Sequence, residues 1–552
     1  MTRRKNAGIK AEYFAIGTPL LLMLNFLLLL RSCSLTGIGY IGLSALFFWT
    51  LFSLTVSPTG SFIGSNLKHE ISRGAYVRGF HLFRSGCGFS IAWSLCIAVL
   101  GFFFSDQIGL VLFRSLHISL IIKLCAILFF LYSVYYLYCR FIYGMGIPKL
   151  AKMLQFLCVV LIFFGSFIGS ELFAHYGKVA ADLLRNEEVM TVYKAAGALV
   201  GTGVAILLSL LVAILFRFLL RDDFSLQKRK DNGSIPGSLV EDAKVLLGNS
   251  LPMGLHKSAL VLGLCISSLF ICKQMAPGEN LRMDMTLPGV LFGALMPSAY
   301  LLALVFRILT LPMDKPMKIS AKNHDVRVLK AQIHGLIRGL FAIALPISVL
   351  FFVVGKSFVE LLSGQTIPEN YGNMICFGGF LIFGVSALLI FEKIMGLCNV
   401  ESYSLLVALV ALLVQCVFSG IFILAMDMSG YGVVLGAMIY LVIYCGYSIF
   451  HIYRYCHISM IYMHSVLLNM TIALIPGFIL YVFYHAACKT WLPLAAFLVC
   501  GLVYVLFYIV LVSILPIFQG EEVRYVPLGS VLSSRFDVVS LRRFGGGNDA
   551  DV

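Results

Sequence analysis

The sequence predicts an all-α polytopic membrane protein with about 14 transmembrane helices, arranged as two six-helix halves and a C-terminal helix pair. Three observations predict it. Of 552 residues, 60% are hydrophobic and 12% charged, with a mean hydropathy of +0.96, a composition far from that of soluble domains. Apolar runs long enough to cross a bilayer recur between short polar turns. Charge alternates with them: about thirty of the Lys and Arg residues fall in segments on the N-terminal side and about eleven in the opposite loops or within spans, the bias of cytoplasmic over outer loops.

In order, the spans start near Glu12, Gly37, Gly86, Ile118, Met153, Ala195, Val245, Leu287, Leu336, Gly372, Ser402, Tyr431, Ser465 and Leu492. The basic start, MTRRKNAGIK, precedes an apolar run too long for a cleaved leader and without a small-residue cleavage site, so it reads as a retained first span. An even number of spans puts both termini in the cytoplasm. The main cytoplasmic loops are then Pro58 to Arg84, Arg217 to Lys244 and Asp314 to Arg338, and the chief outer loop is Ala174 to Lys194.

The polar loop Arg217 to Lys244 divides the chain into a lobe over residues 1–230 and a second over 231–460, followed by helices 13 and 14 over 461–518 and a cytoplasmic tail over 519–552. Three ordered matches support a duplication. GTPLLLMLN (Gly17 to Asn25) parallels GNSLPMGLHKS (Gly248 to Ser258), FFFSDQIGLVLF (Phe102 to Phe113) parallels FFVVGKSFVELL (Phe351 to Leu362), and YGMGIPKL (Tyr143 to Leu150) parallels IMGLCNVE (Ile394 to Glu401).

Composition also excludes classes. Fifteen cysteines lie scattered through apolar segments with no close pair resembling a metal or redox motif, and read as small packed hydrophobes. The net charge of +15 is not gathered into a basic and aromatic patch for nucleic acid; topology accounts for it. There is no glycine-rich phosphate loop, no H-E-x-x-H and no outer loop long enough for paired catalytic carboxylates, so neither enzyme activity nor a cofactor or metal is expected.

The stretch Leu35 to Gly86, with Gly37, Gly39, Gly60, Ser65, Glu70, Gly74 and Arg78, resembles the second helix and following loop of the polysaccharide-exporter and stage V sporulation protein B branch of the multidrug/oligosaccharidyl-lipid/polysaccharide (MOP) flippase superfamily, which is related to the lipid II flippases. Arg140 to Leu161 resembles the turn between that family's fourth and fifth helices, and Tyr193 to Leu215 its sixth helix. The resemblance covers nearly the whole chain and implies fourteen helices in two lobes about a central cavity. Two positions depart from the pattern. Ser34 stands where members often carry a basic residue before the helix-2 glycine, with Arg31 one turn earlier; Asn25 is the polar residue of the first span, where multidrug members often have a carboxylate.

Lys257 is the strongest candidate for function. It lies at the centre of the apolar run Val245 to Lys273, about twelve residues from its inner end, too deep for comfortable snorkelling. Ionisable residues at that depth normally face a bundle interior or wet cavity, and a cation there attracts a pyrophosphate. The structural alternative is a tolerated lysine paired to a carbonyl. His256 points about 100° away from Lys257 and reads equally as a cavity edge or a packed histidine. Arg84 and Arg307, near cytoplasmic helix ends, fit a basic inner mouth for phosphates as well as ordinary anchoring. Arg31 and Lys123 lie near outer ends, where snorkelling accounts for them. Asn25, Gln155 and Gln415 suit sugar binding or helix-to-helix hydrogen bonds, and Glu392 and Lys393 a solvated or locally paired helix end.

These features together predict a flippase that moves a lipid-linked oligosaccharide, or a related polyprenyl-pyrophosphate precursor, across a bacterial cytoplasmic membrane by alternating access. Its expected partners are that anionic lipid-linked glycan, the surrounding membrane lipids and glycan-assembly enzymes, with no nucleic acid. The alternatives are a multidrug or cation antiporter of the same fold and a non-transporting scaffold or glycan-assembly enzyme.

Overall fold

The computed structural model describes residues 11–115, 117–219, 231–233, 238–275, 284–323, 325–397, 401–456, 463–490 and 493–514. The basic N-terminal segment, the middle of the Arg217 to Lys244 loop and the tail over 519–552 lie outside the described residues. Regular structure among the described residues is helical throughout.

The helices are α1 (Ala11–Leu54), α2 (Val56–Ser72), α3 (Tyr76–Phe103), α4 (Ser105–Val111), α5 (Ile118–Gly144), α6 (Pro148–Leu184), α7 (Glu187–Leu219), α8 (Leu239–Met275), α9 (Thr286–Leu309), α10 (Asp314–Lys322), α11 (Val326–Ser363), α12 (Glu369–Leu397), α13 (Glu401–Gly420), α14 (Ser429–Cys456), α15 (Met463–Thr490) and α16 (Pro493–Ile514). Thirteen stretches among the described residues are long and apolar enough to cross a membrane. The first, Gly17–Ser72, has 56 residues, about 84 Å of helix at about 1.5 Å per residue and far beyond one bilayer core. Its helix breaks at Ser34, where φ is 65° and ψ 170°.

Packing shows that the two sides of this break run in opposite directions. Before it, Phe14 contacts the Phe156 ring, Asn25 bonds Ser166 and Cys33 lies 3.3 Å from Ser170, so the chain ascends beside α6. After it, Phe48 meets Phe129, Phe52 meets Tyr132 and Tyr136, and Gly64 lies against Arg140, so the chain follows α5, which is joined to α6 by a short turn. The first stretch is therefore two crossings, which makes fourteen among the described residues. The protein is a multi-pass membrane protein with the helical fold expected of its sequence.

The chain forms two compact units. One comprises Met1–Ser298, Leu362–Thr366 and Ala408–Tyr440; the other Ala299–Leu361, Ile367–Val407 and Leu441–Val552. In the first, α6 and α7 make the closest helix pair through facing G-x-x-x-G steps: Gly165 lies against Gly201, and Gly169 against Gly197. Small residues at that spacing let helix backbones touch in a membrane, where lipid supplies no hydrophobic drive between helices. Gly39 likewise abuts Gly289 and the Met285 carbonyl, where α9 begins with a π-helical segment, Gly289–Leu295. The resemblance-bearing glycines thus have packing or turn roles: Gly60 faces the Tyr136 ring, and Gly74 has φ +81°, a left-handed conformation that a side chain would strain. In the second unit, one core gathers Phe306, Ile333, Leu336, Phe391 and Ile394, and another joins Val349 and Val353 to Ala473, Tyr484 and Tyr504.

Candidate functional site

Within α8 the membrane-spanning stretch is Val240–Met275, and Lys257 lies seventeen residues from one end and eighteen from the other, about 26 Å from each at about 1.5 Å per residue. Pro252 interrupts the ladder one turn earlier, because proline offers no amide to the Gly248 carbonyl. Gly254 lies against the Leu54 carbonyl and Pro58, and Ser258 Oγ donates to the Gly254 carbonyl at 2.7 Å. Close backbone contact with the α1–α2 junction therefore fixes the turn that carries Lys257.

Lys257 is exposed, and the exposure is local. Ser250 and Leu264, seven residues to either side and so on the same helix face, are only 5% and 8% exposed, and Leu246 a further turn away is 2% exposed. A lipid-facing stripe would stay exposed along its length, so this cation stands at a local opening in an otherwise covered face. His256 beside it is half-buried. Trp49, 46% exposed and stacked on Phe52 at 5.5 Å, stands one to two turns from Leu54 on the segment that Gly254 touches, which gives that depth an aromatic surface as well as a charge. Sequence reasoning passed over Trp49, although the chain has only three tryptophans and this one falls inside a span.

The other candidate residues occupy different places. Arg84 is exposed on α3, whose His81 bonds Asp242 at 3.0 Å and whose Gly86 packs on Leu246. That registers Arg84 with the start of α8, about 17 Å along the axis from Lys257 by helix rise, so the structure does not bring the two together. Arg31 is exposed three residues before the break at Ser34. Asn25 is buried, and its Oδ1 accepts from Ser166 Oγ at 3.0 Å, a helix-to-helix bond. Lys123 meets Asp106 at 3.3 Å, and hydrogen bonds from Ser119 and Lys123 hold that exposed carboxyl below its ordinary range.

Arg307, in the second unit, is committed to a carboxylate. Its Nη2 donates to Asp314 Oδ2 at 2.9 Å and its Nη1 to Oδ1 at 3.2 Å, while Lys393 Nζ binds the same Oδ1 from α12. Burial would raise the Asp314 carboxyl, but the hydrogen bonds and charges of Arg307 and Lys393 outweigh it and hold the group below the usual carboxylate range. One carboxylate between two cations leaves a net positive cluster at the end of α9. Among the described residues no group of His, Cys, Asp and Glu has the arrangement of a metal site.

No protein-family model and no curated protein matches the sequence. Solved structures do match the fold. The lipid II flippase MurJ in an inward closed conformation superposes with a TM-score of 0.58 at 12% identity, covering 91% of this chain and 98% of that one. An inward-facing multidrug-resistance MATE family transporter of the MOP superfamily gives 0.54 at 16% identity over 82% of this chain and 98% of its own. The fold is that of the MATE and MurJ transporters. A eukaryotic MATE transporter, AtDTX14, agrees, with a TM-score of 0.55 at 13% identity over 80% of this chain and 95% of that one. These neighbours are transporters rather than enzymes.

Proposed function

We propose that this protein is a flippase of the polysaccharide-exporter branch, moving a lipid-linked oligosaccharide or related polyprenyl-pyrophosphate precursor from the inner to the outer leaflet of a bacterial cytoplasmic membrane by alternating access. The observation that carries the reading is Lys257, a cation at the middle of a span whose face is buried above and below it. A charge kept at that depth is costly unless something uses it, and a diphosphate bridging lipid and sugar is an anion that must pass the midplane. Lys257 receives the diphosphate, Trp49 offers an apolar face to the sugars, and the tail stays in the bilayer. His256 lines the edge, Arg84 lies on the phosphate's inner approach, and Arg31 and Asn25 are the corresponding candidates on α1. The absence of Asp or Glu between Gly17 and Ser34 disfavours cation antiport. Proteoliposomes holding the purified protein and a fluorescent polyprenyl-diphosphate glycan test it: label should cross to the outer leaflet, whereas transport of a cationic drug without movement of the glycan would favour the multidrug reading.

A further inference from the structure

A cationic recess lies in the first unit, well away in sequence from Lys257. Thr18 and Pro19 of α1, Cys139, Arg140 and Tyr143 of α5, and Ala151, Lys152 and Gln155 of α6 enclose about 220 Å³. Arg140 is four residues from the end of α5 and Lys152 four from the start of α6, so the recess opens where two spans reach the membrane surface.

Its chemistry is that of an anion site. Arg140 donates from Nε to Tyr136 Oη at 2.8 Å and lies over the Tyr136 ring at 4.9 Å, which fixes the guanidinium while satisfying one of its five donors. Lys68 Nζ stands 5.4 Å from the Tyr143 ring, adding a third cation on the flank. Among the described residues no carboxylate ion-pairs with Arg140 or Lys152. Thr18, Tyr143 and Gln155 supply neutral hydrogen-bonding groups around the two charges. The start of a 37-residue helix, α6, adds its positive dipole end to the same place.

Size selects the ligand. At 220 Å³ the recess falls below the roughly 300–1,000 Å³ of ordinary small-molecule sites, enough for one phosphate and a few carbons but not for a diphosphate bearing sugars. The recess opens at the ends of two spans, the depth at which the phosphates of the bilayer's own lipids lie. We propose that this recess binds the phosphate of an anionic glycerophospholipid, held by Arg140 and Lys152.

The test uses the full-length protein, delipidated in detergent micelles, with phosphatidylglycerol, phosphatidylcholine or inorganic phosphate as probes, read by native mass spectrometry and by thermal unfolding. Wild type should retain phosphatidylglycerol and gain thermal stability from it; phosphatidylcholine, whose choline would face two cations, should bind much more weakly. Lys152→Gln should weaken phosphatidylglycerol binding by about tenfold, the worth of one charge-assisted hydrogen bond, and Lys152→Arg should restore it. Lys152 makes no hydrogen bond or ion pair among the described residues, so neither change should impair folding. Unchanged phosphatidylglycerol affinity in Lys152→Gln would overturn the site. Full competition by millimolar inorganic phosphate would make it a free-phosphate site and overturn the lipid assignment. Lys257→Met should leave this binding unaltered, so failure of the flippase reading and failure of this site are distinguishable.

Discussion

Arg307 grips Asp314 with two parallel hydrogen bonds, at 2.9 and 3.2 Å, across a single turn between α9 and α10. Lys393 shares the carboxylate from a helix 79 residues further on, so the cluster ties α12 to the α9–α10 corner. Replacing Asp314 with Asn should destabilise the second unit by about 2 kcal/mol, between the loss of a charged hydrogen bond and of a buried pair, because the partners are only partly buried. Thermal unfolding in detergent at pH 7 measures it.

The same group predicts a pH dependence. The folded Asp314 carboxyl is held below its unfolded value of about 3.9, so its contribution is fully present above that value and is lost as pH falls through the lower, folded one. The stability gap between wild type and Asp314→Asn should hold steady from pH 7 to about 5 and close below about 4. A gap that widens on acidification would mean that the carboxylate is not what holds the corner.

The glycine crossing of α6 and α7 should be the least forgiving part of the first unit. A side chain at Gly169 or Gly201 would meet backbone of the facing helix, so Gly169→Val should cost about 3 kcal/mol or more, the upper end for overpacking, and abolish a monodisperse peak in size-exclusion chromatography. Gly88, with open space at its Cβ position, is the control: Gly88→Ala should be neutral or stabilising by up to about 1 kcal/mol.

Both termini and the loop before α8 are expected in the cytoplasm, from the basic bias of those segments. In a background with every native cysteine replaced, a membrane-impermeant maleimide applied outside should label a cysteine at Glu187 and spare one at Ser238, both exposed positions. The reverse pattern would invert the topology.

The spans were legible in sequence because a bilayer demands about 20 apolar residues for each crossing, a signal independent of packing. The sharp reversal at Ser34 was legible only as a change from one apolar run to the next; the backbone break itself carries no compositional mark. The facing glycines at 165, 169, 197 and 201 were visible as two G-x-x-x-G steps but went unused, since spacing alone does not say which helix a small face meets. Arg307 looked like an open mouth residue because its bond to Asp314, and the sharing of that carboxylate with Lys393, form only in three dimensions. Gln155 stood out as polar in a span, yet its place beside Arg140 and Lys152 depends on how α5 turns into α6.

The central claim is that Lys257 anchors the substrate's diphosphate, and the most direct measurement compares flipping of a lipid-linked glycan by wild type, Lys257→Arg and Lys257→Met at equal abundance in the membrane. Arginine keeps the charge with altered geometry and should leave partial activity; methionine keeps much of the stem without the charge and should abolish flipping while folding normally, since a charge at the middle of a span costs stability rather than adding it. Normal flipping by Lys257→Met would contradict the assignment and shift attention to Arg84.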